Sequence, residues 1–296
     1  MSQASEMFCK ISKENDDKKN AGLKTPDNIV RYDDIVYGPY EKWNKLDVYR
    51  PKNIKGKLPV IVDVHGGGYV YGDKELYQFY CMDLALRGFA VINFTYRLAP
   101  DYIFPAPLED TNMVIEWMYK NADKYEFDLN KVYLVGDSAG AHMVSLYAAI
   151  CSDKEYAKTY DFKVPNGFKP NAVCMNCGAY DQSAKSDGEG PLAEMLAQLQ
   201  IDAYGKKLTV DEQRHISLCF NITKDFPPCY VMTATGDFLL EQVKYIKPKL
   251  EELNIEHVIK IYGDDKNLLP HVFHCDLTCP DAKICNDEEM EFLKKY

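Results

Sequence analysis

The sequence predicts an α/β fold, with a mostly parallel central sheet covered by helices on both faces. Three observations lead there. Short continuous apolar runs recur along the chain, as strands buried on both faces require. Longer stretches with helical apolar spacing separate them, which gives the βα alternation. Glycine-rich turns follow two of the runs directly, at 65–68 and 136–140.

Residues 1–28 are polar and charge-rich, with Pro26 and Asn28 closing the stretch, and are expected to form a frayed N-terminal arm or part of a lid. Alternating runs at 35–40 and 46–49 read as early antiparallel strands. Buried strands are expected at 58–64, 90–94, 132–135, 172–175, 230–234 and 257–262. Helices are expected between them at 74–87, 108–121, 139–151 and 239–253.

One connection breaks the rhythm. Residues 181–226 are far longer than a usual loop, and Leu192, Met195, Leu196 and Leu199 recur within them at helical spacing. Thr209 and Glu212 resemble a capping box. The segment is expected to be a small helical cap inserted into a main domain made of 29–180 and 227–296.

The 35 Lys and Arg against 45 Asp and Glu give a formal charge of -10, the wrong sign for nucleic acid or an anionic membrane surface. Residues 1–24 lack the apolar core of a secretory signal, and no apolar run approaches the roughly 20 residues of a membrane span. A cytoplasmic protein is therefore expected, its ten cysteines reduced.

The strongest chemical signal is Gly136-Asp137-Ser138-Ala139-Gly140, between a predicted strand and a predicted helix. A nucleophilic serine must stand on a sharp turn, and flanking glycines permit the crowding because they lack a Cβ. The helix that follows aims its N-terminal N–H groups at the place where a negative intermediate forms. Upstream, His65-Gly66-Gly67-Gly68 follows the 58–64 strand, where three glycines let backbone N–H groups approach an oxyanion.

These motifs, with Tyr96-Arg97-Leu98-Ala99-Pro100, Phe104-Pro105-Ala106, Leu108-Glu109-Asp110, Phe226-Pro227-Pro228 and Gly236-Asp237-Phe238-Leu239, resemble the hormone-sensitive-lipase-like carboxylesterases of the α/β-hydrolase fold. The resemblance covers most of residues 45–275. It implies a serine hydrolase acting on short-chain acyl esters of small molecules. It also implies that Asp237 carries the acid, in the chain order Ser, acid, His expected of the fold. Asp264 and Asp265 are rivals that read better as a solvated acidic turn.

Six histidines compete for the base. His271, in Leu269-Pro270-His271-Val272-Phe273-His274, is similar to the family's His-Gly-Phe motif, with His274 as the alternative. His65 is expected to support the oxyanion loop, His142 lies in the helix after the nucleophile, and His215 and His257 read as ordinary polar residues. Val272 replaces the family's glycine after the base, and Ala141 replaces a second glycine after the elbow. Neither change removes a reacting atom, so they bear on rate and specificity.

The expected site is thus Ser138, His271 and Asp237, with oxyanion donors from Ala139 and two of the three glycines, Gly67 and Gly68 before Gly66. Tyr69, Tyr71 and the Leu192–Leu199 stripe are candidates to line the substrate pocket. No metal or cofactor is expected: Cys174, Cys177, His274, Cys275, Cys279 and Cys285 read as scattered thiols rather than paired zinc ligands. An amidase or deacetylase with the same triad, or a non-catalytic small-molecule receptor, are the alternatives. The oligomeric state is left open.

Overall fold

The computed structural model describes residues 1–184 and 190–296. Its centre is an eight-stranded sheet in the order β1-β2-β4-β3-β5-β6-β7-β8. The strands are β1 (Ile29–Val36), β2 (Lys45–Pro51), β3 (Leu58–Val64), β4 (Ala90–Phe94), β5 (Phe127–Asp137), β6 (Ala172–Asn176), β7 (Cys229–Ala234) and β8 (His257–Tyr262). β1 and β2 pair antiparallel, β2 meets β4 antiparallel, and all remaining pairs are parallel.

The two faces follow from the alternation of side chains. Val60, Val62 and Val64 share one face with Leu134, while Ile61, Tyr133 and Val135 point to the other. Helices α3 (Ala106–Asn121), α4 (Ala139–Ser152) and α9 (Val243–Glu252) cover the first face through Val114, Leu146 and Ile246. Helices α2 (Lys74–Ala85) and α10 (Pro280–Leu293) cover the second through Met82, Leu84, Ala282 and Met290. Each fully buried aliphatic side chain contributes about 1.5–3 kcal/mol of transfer free energy, which is why both faces of the inner strands are apolar, whereas the edge strands β1 and β8 leave side chains such as Val36 and Ile261 exposed.

The strands anticipated at 46–49, 58–64, 90–94, 132–135, 172–175, 230–234 and 257–262 are present, and β5 runs longer than the 132–135 core of apolar residues. Of the strand anticipated at 35–40 only Ile35 and Val36 lie in β1, which starts at Ile29, while residues 37–40 turn away before β2. Helix α10 was not anticipated. The first 20 residues also differ from a frayed arm: α1 (Gln3–Asn20) is an 18-residue helix capped by the Ser2 side chain, which accepts the Ser5 N–H.

Between β6 and β7 lie α6 (Pro191–Tyr204), α7 (Val210–His215) and the one-turn α8 (Leu218–Asn221). The Thr209 and Glu212 capping box is formed in both directions. Helix α5 (Lys154–Ala157) is a single turn after α4. Residues 185–189 of the anticipated 181–226 insertion lie outside the described residues. α1 joins α6 through the Ser2 backbone N–H, which donates to Asp202 Oδ2 at 2.7 Å.

Candidate active site

The serine turn is fixed by register. β3 and β5 pair so that Val64 faces Gly136, which sets the loop after β3 against the turn after β5. Ser138 sits there at φ 53°, ψ -115°, a conformation that costs an L-residue on the order of 1–3 kcal/mol. A Cβ on Gly140 would lie 1.8 Å from the Val64 carbonyl oxygen, and one on Gly136 would lie 2.6 Å from the Gly140 carbonyl carbon. Both glycines are therefore steric requirements of the turn. Ser138 donates its N–H to the Asn176 carbonyl at 2.8 Å, and Ala139 opens α4 as its first residue.

The glycine loop is tied down at its first residue. The Gly66 N–H points between the Tyr77 hydroxyl at 3.0 Å and Asp137 Oδ1 at 3.1 Å, and the Tyr77 hydroxyl donates to Asp137 Oδ2 at 2.8 Å. Among the described residues the Gly67 and Gly68 N–H groups donate no hydrogen bond, and all three glycines border the cavity described below. Gly67 stands at φ +116°, and a Cβ there would come within 2.0 Å of the Tyr71 carbonyl oxygen. Burial pushes the Asp137 carboxyl up to about 6, partly offset by the Tyr77 hydrogen bond and the nearby Lys19 charge. His65 braces the same loop: its Nδ1 bonds the Gly66 carbonyl at 2.7 Å and its ring stacks on Tyr96 at 4.0 Å. Burial holds His65 neutral, down to about 4.

Asp237 and His271 come from the loops after β7 and β8, joined where Gly236 donates to the Leu269 carbonyl at 2.9 Å. His271 Nδ1 lies 2.7 Å from Asp237 Oδ1. The carboxylate also accepts the Leu239 N–H and the Thr233 hydroxyl, each at 2.8 Å. Burial alone would raise the Asp237 carboxyl; the His271 and Leu239 contacts outweigh it and hold it below the usual range. With Nδ1 donating to Asp237, Nε2 carries the free lone pair. Ser138 and His271 line one cavity, although the Ser138 hydroxyl makes no hydrogen bond among the described residues. Such contacts often tighten only when substrate binds.

The rival groups lie elsewhere. His274 is buried with its Nε2 3.4 Å from Asn176 Nδ2, and burial drives it down to about 3. Asp264 is exposed and caps a turn by accepting the Lys266 and Asn267 N–H groups; Asp265 is exposed beside it. His142 is buried between the Tyr69 hydroxyl and the Ile216 carbonyl. His215 accepts a ring contact from Tyr156, and His257 bonds the Ile255 carbonyl. All ten cysteines are free thiols.

The cavity measures about 920 Å³, a volume that suits a small organic ligand. Gly67, Gly68, Ser138 and His271 lie on its wall with Leu192, Leu196 and Leu199 of α6. Tyr69 and Tyr71 border it too, but both hydroxyls are engaged inside the protein: Tyr69 donates to His142 Nδ1, and Tyr71 donates to Asp16 Oδ2 at 2.9 Å. α1 supplies a further wall, through Phe8, Ser12, Asp16 and Lys19, with Lys19 Nζ 2.7 Å from Asp16. Their spacing in the sequence, 8, 12, 16 and 19, is one face of a helix and was the available signal for that wall. Asp137 and Tyr77 were also missed as supports of the glycine loop.

Residues 46–263 match the BD-FAE family. Among similar sequences, versiconal hemiacetal acetate esterase of Dothistroma septosporum is 28% identical over 246 residues, 81% of this chain and 74% of the relative. Esterase LipC of Mycobacterium tuberculosis is 27% identical over 235 residues, 76% of this chain and 56% of the relative. Among solved structures, Esterase B from Lactobacillus Rhamnosis superposes with a TM-score of 0.89 at 24% identity, covering 98% of this chain and 93% of that one. That superposition is a likeness of fold. With nearly three quarters of its length inside one family match, the chain belongs to the BD-FAE family, in the hormone-sensitive-lipase-like carboxylesterase branch of the α/β-hydrolases.

Proposed function

We propose that this carboxylesterase cleaves short-chain acyl esters of small molecules through an acyl-enzyme on Ser138, with His271 as base and Asp237 as its orienting acid. The observation that carries the reading is the 2.7 Å contact between His271 Nδ1 and Asp237, with His271 on the same cavity wall as the half-buried Ser138; in the neutral ring that contact leaves the Nε2 lone pair to act as base. His271 takes the serine proton as Oγ attacks the ester carbonyl, and the carbonyl electrons move onto oxygen. The N–H groups of Gly67, Gly68 and Ala139 stabilise that oxyanion; Ala139 qualifies because the first N–H of a helix has no partner within it. His271 then protonates the departing alcohol, and water activated by the same ring releases the acid.

The preference for short acyl groups is supported by Leu199, whose Cδ2 lies 2.7 Å from the position of a Cβ on Gly68 and so roofs the oxyanion loop closely. We assign α1 and the 191–226 helices the role of a cap over the site. Among the described residues no helix is long and apolar enough to cross a membrane. The free thiols support a cytoplasmic setting.

The test compares p-nitrophenyl acetate, butyrate and octanoate with acetanilide. Acetate or butyrate turnover exceeding octanoate by at least tenfold and acetanilide by at least a hundredfold is expected, with Ser138→Ala folded and inactive. Faster cleavage of the anilide would replace the ester reading with the amidase one. Retained turnover in Ser138→Ala would remove the serine from its role.

A further inference from the structure

Cys177 has no place in the acyl-transfer chemistry, yet it lies against it. Its sulfur is almost wholly buried and accepts the Val272 N–H at 3.4 Å, so the thiol is held on the loop that carries His271. Cys177 itself adopts φ 51°, the left-handed region, immediately after β6. Ligand atoms of Cys177, Asp237 and His271 all fall within 4.8 Å of one another. A tetrahedral zinc ion with bonds of about 2.0–2.3 Å needs ligand atoms roughly 3.3–3.8 Å apart, a separation that small side-chain shifts reach from here.

We propose that Cys177, Asp237 and His271 form a site for a soft divalent cation, zinc or cadmium, and that its occupation switches the esterase off. The donor set is a thiolate, a carboxylate and an imidazole, which selects zinc or cadmium over magnesium or calcium. One thiolate and one carboxylate cancel the two positive charges of the ion, as a buried site requires. Three protein ligands leave a fourth position, where a water completes the tetrahedron.

Binding transfers the Cys177 thiol proton to solvent as the metal–sulfur bond forms. The His271 proton moves from Nδ1 to Nε2 as Nδ1 takes the metal, so the ring gains and loses nothing overall. No atom changes oxidation state. Nε2 now carries hydrogen and has no lone pair for the Ser138 proton. The inhibitory half of the proposal rests on His271 being the base, whereas the binding half stands without it.

The experiment titrates the full chain with cadmium chloride and zinc chloride, with magnesium chloride as control. It reads the ultraviolet charge-transfer absorption of the cadmium–thiolate bond and, separately, p-nitrophenyl acetate turnover. Wild type is expected to gain the absorption and lose at least tenfold of its activity, both reversed by EDTA, with no response to magnesium. Cys177→Ser and Cys177→Ala are expected to turn over substrate while needing at least tenfold more metal for inhibition. The more accessible thiols, Cys9, Cys151 and Cys279, add equally to every sample, so the difference between wild type and variant is the signal.

Equal inhibition of wild type and both variants, or equal absorption, would overturn the site. If neither variant folds, anomalous diffraction from a cadmium-soaked wild-type crystal decides: density among the three side chains supports the site, and density only elsewhere overturns it. A chain that turned over no ester but still showed the Cys177-dependent absorption would fail the proposed function and keep the metal site.

Discussion

Asp137 Oδ1 accepts the N–H of Gly66 at 3.1 Å, tying the residue before the serine to the first glycine of the oxyanion loop. The carboxylate accepts two donors at once, since the Tyr77 hydroxyl occupies its other oxygen at 2.8 Å. Asp137→Ala removes both anchors, and a loop donor displaced from its target costs about 10²–10³ in rate. The expected result is a fall in kcat of that size with KM nearly unchanged. Protonation of Asp137, which burial moves up to about 6, sacrifices an acceptor, so turnover should fall as pH drops through that value. Asp137→Asn should lose this ionisation from the acid side of the pH–rate profile, and an unaltered profile would refute the link.

Gly140 faces the Val64 carbonyl with no room for a methyl group, the position of a Cβ being 1.8 Å from that oxygen. Gly140→Ala should therefore destabilise the fold by more than about 3 kcal/mol, beyond the ordinary range for a single substitution. Thermal unfolding is expected to show a Tm lower by roughly 10 °C. A variant as stable as wild type would mean that α4 and the end of β3 separate there at little cost.

Asp237→Asn preserves shape but presents an amide N–H₂ or a weaker acceptor to His271 Nδ1. The ring loses its preferred tautomer, and kcat should fall by about 10³–10⁴ while the protein remains folded. Steady-state kinetics on p-nitrophenyl acetate beside circular dichroism separates loss of chemistry from loss of structure.

Glu289 is buried beneath the nucleophile, with Oε1 accepting from Asn176 Nδ2 at 2.9 Å and Oε2 without a hydrogen-bond partner. Burial raises its carboxyl from 4.5 to about 7. A raised carboxyl binds its proton more tightly in the folded chain, so the folded state is penalised as pH rises from 4.5 towards 7, and fully above that. Glu289→Gln removes the penalty and keeps an acceptor for Asn176. It should stabilise the protein by up to about 3 kcal/mol at pH 8 and by almost nothing near pH 4.5, read from denaturant unfolding at the two values.

The sheet was legible because strands buried on both faces cannot hide their composition: 58–64 and 90–94 agree with β3 and β4 to the residue, and the half-exposed edge strand at 257–262 agrees with β8. The serine turn and the glycine loop were legible for a steric reason, since their glycines fill positions where a Cβ would strike a neighbouring atom, the backbone at Gly67, Gly136 and Gly140 and a side chain at Gly66 and Gly68. Asp237 and His271 were reachable only through family resemblance, because 34 residues separate two groups that the β7 and β8 loops bring into contact. Helix α1 was obscured by its polar composition, as its inward face packs only Phe8 and Cys9 against the apolar cluster of Val70, Ala99 and Leu199. Asp137 was in view inside the motif, but its partner Tyr77 lies 60 residues away on another element, and nothing local announces that bond.

Ser2 and Asp202, whose contact seats α1 on α6, stand 200 positions apart. At a ribosomal pace of about 5–20 residues per second, the first helix leaves the tunnel roughly 10–40 seconds before the surface it docks against has been made. The hydrolytic chamber is consequently among the last parts of the molecule to be enclosed. A fusion attached at the N-terminal side would press on that late docking step, so an affinity tag belongs at the other end of the polypeptide.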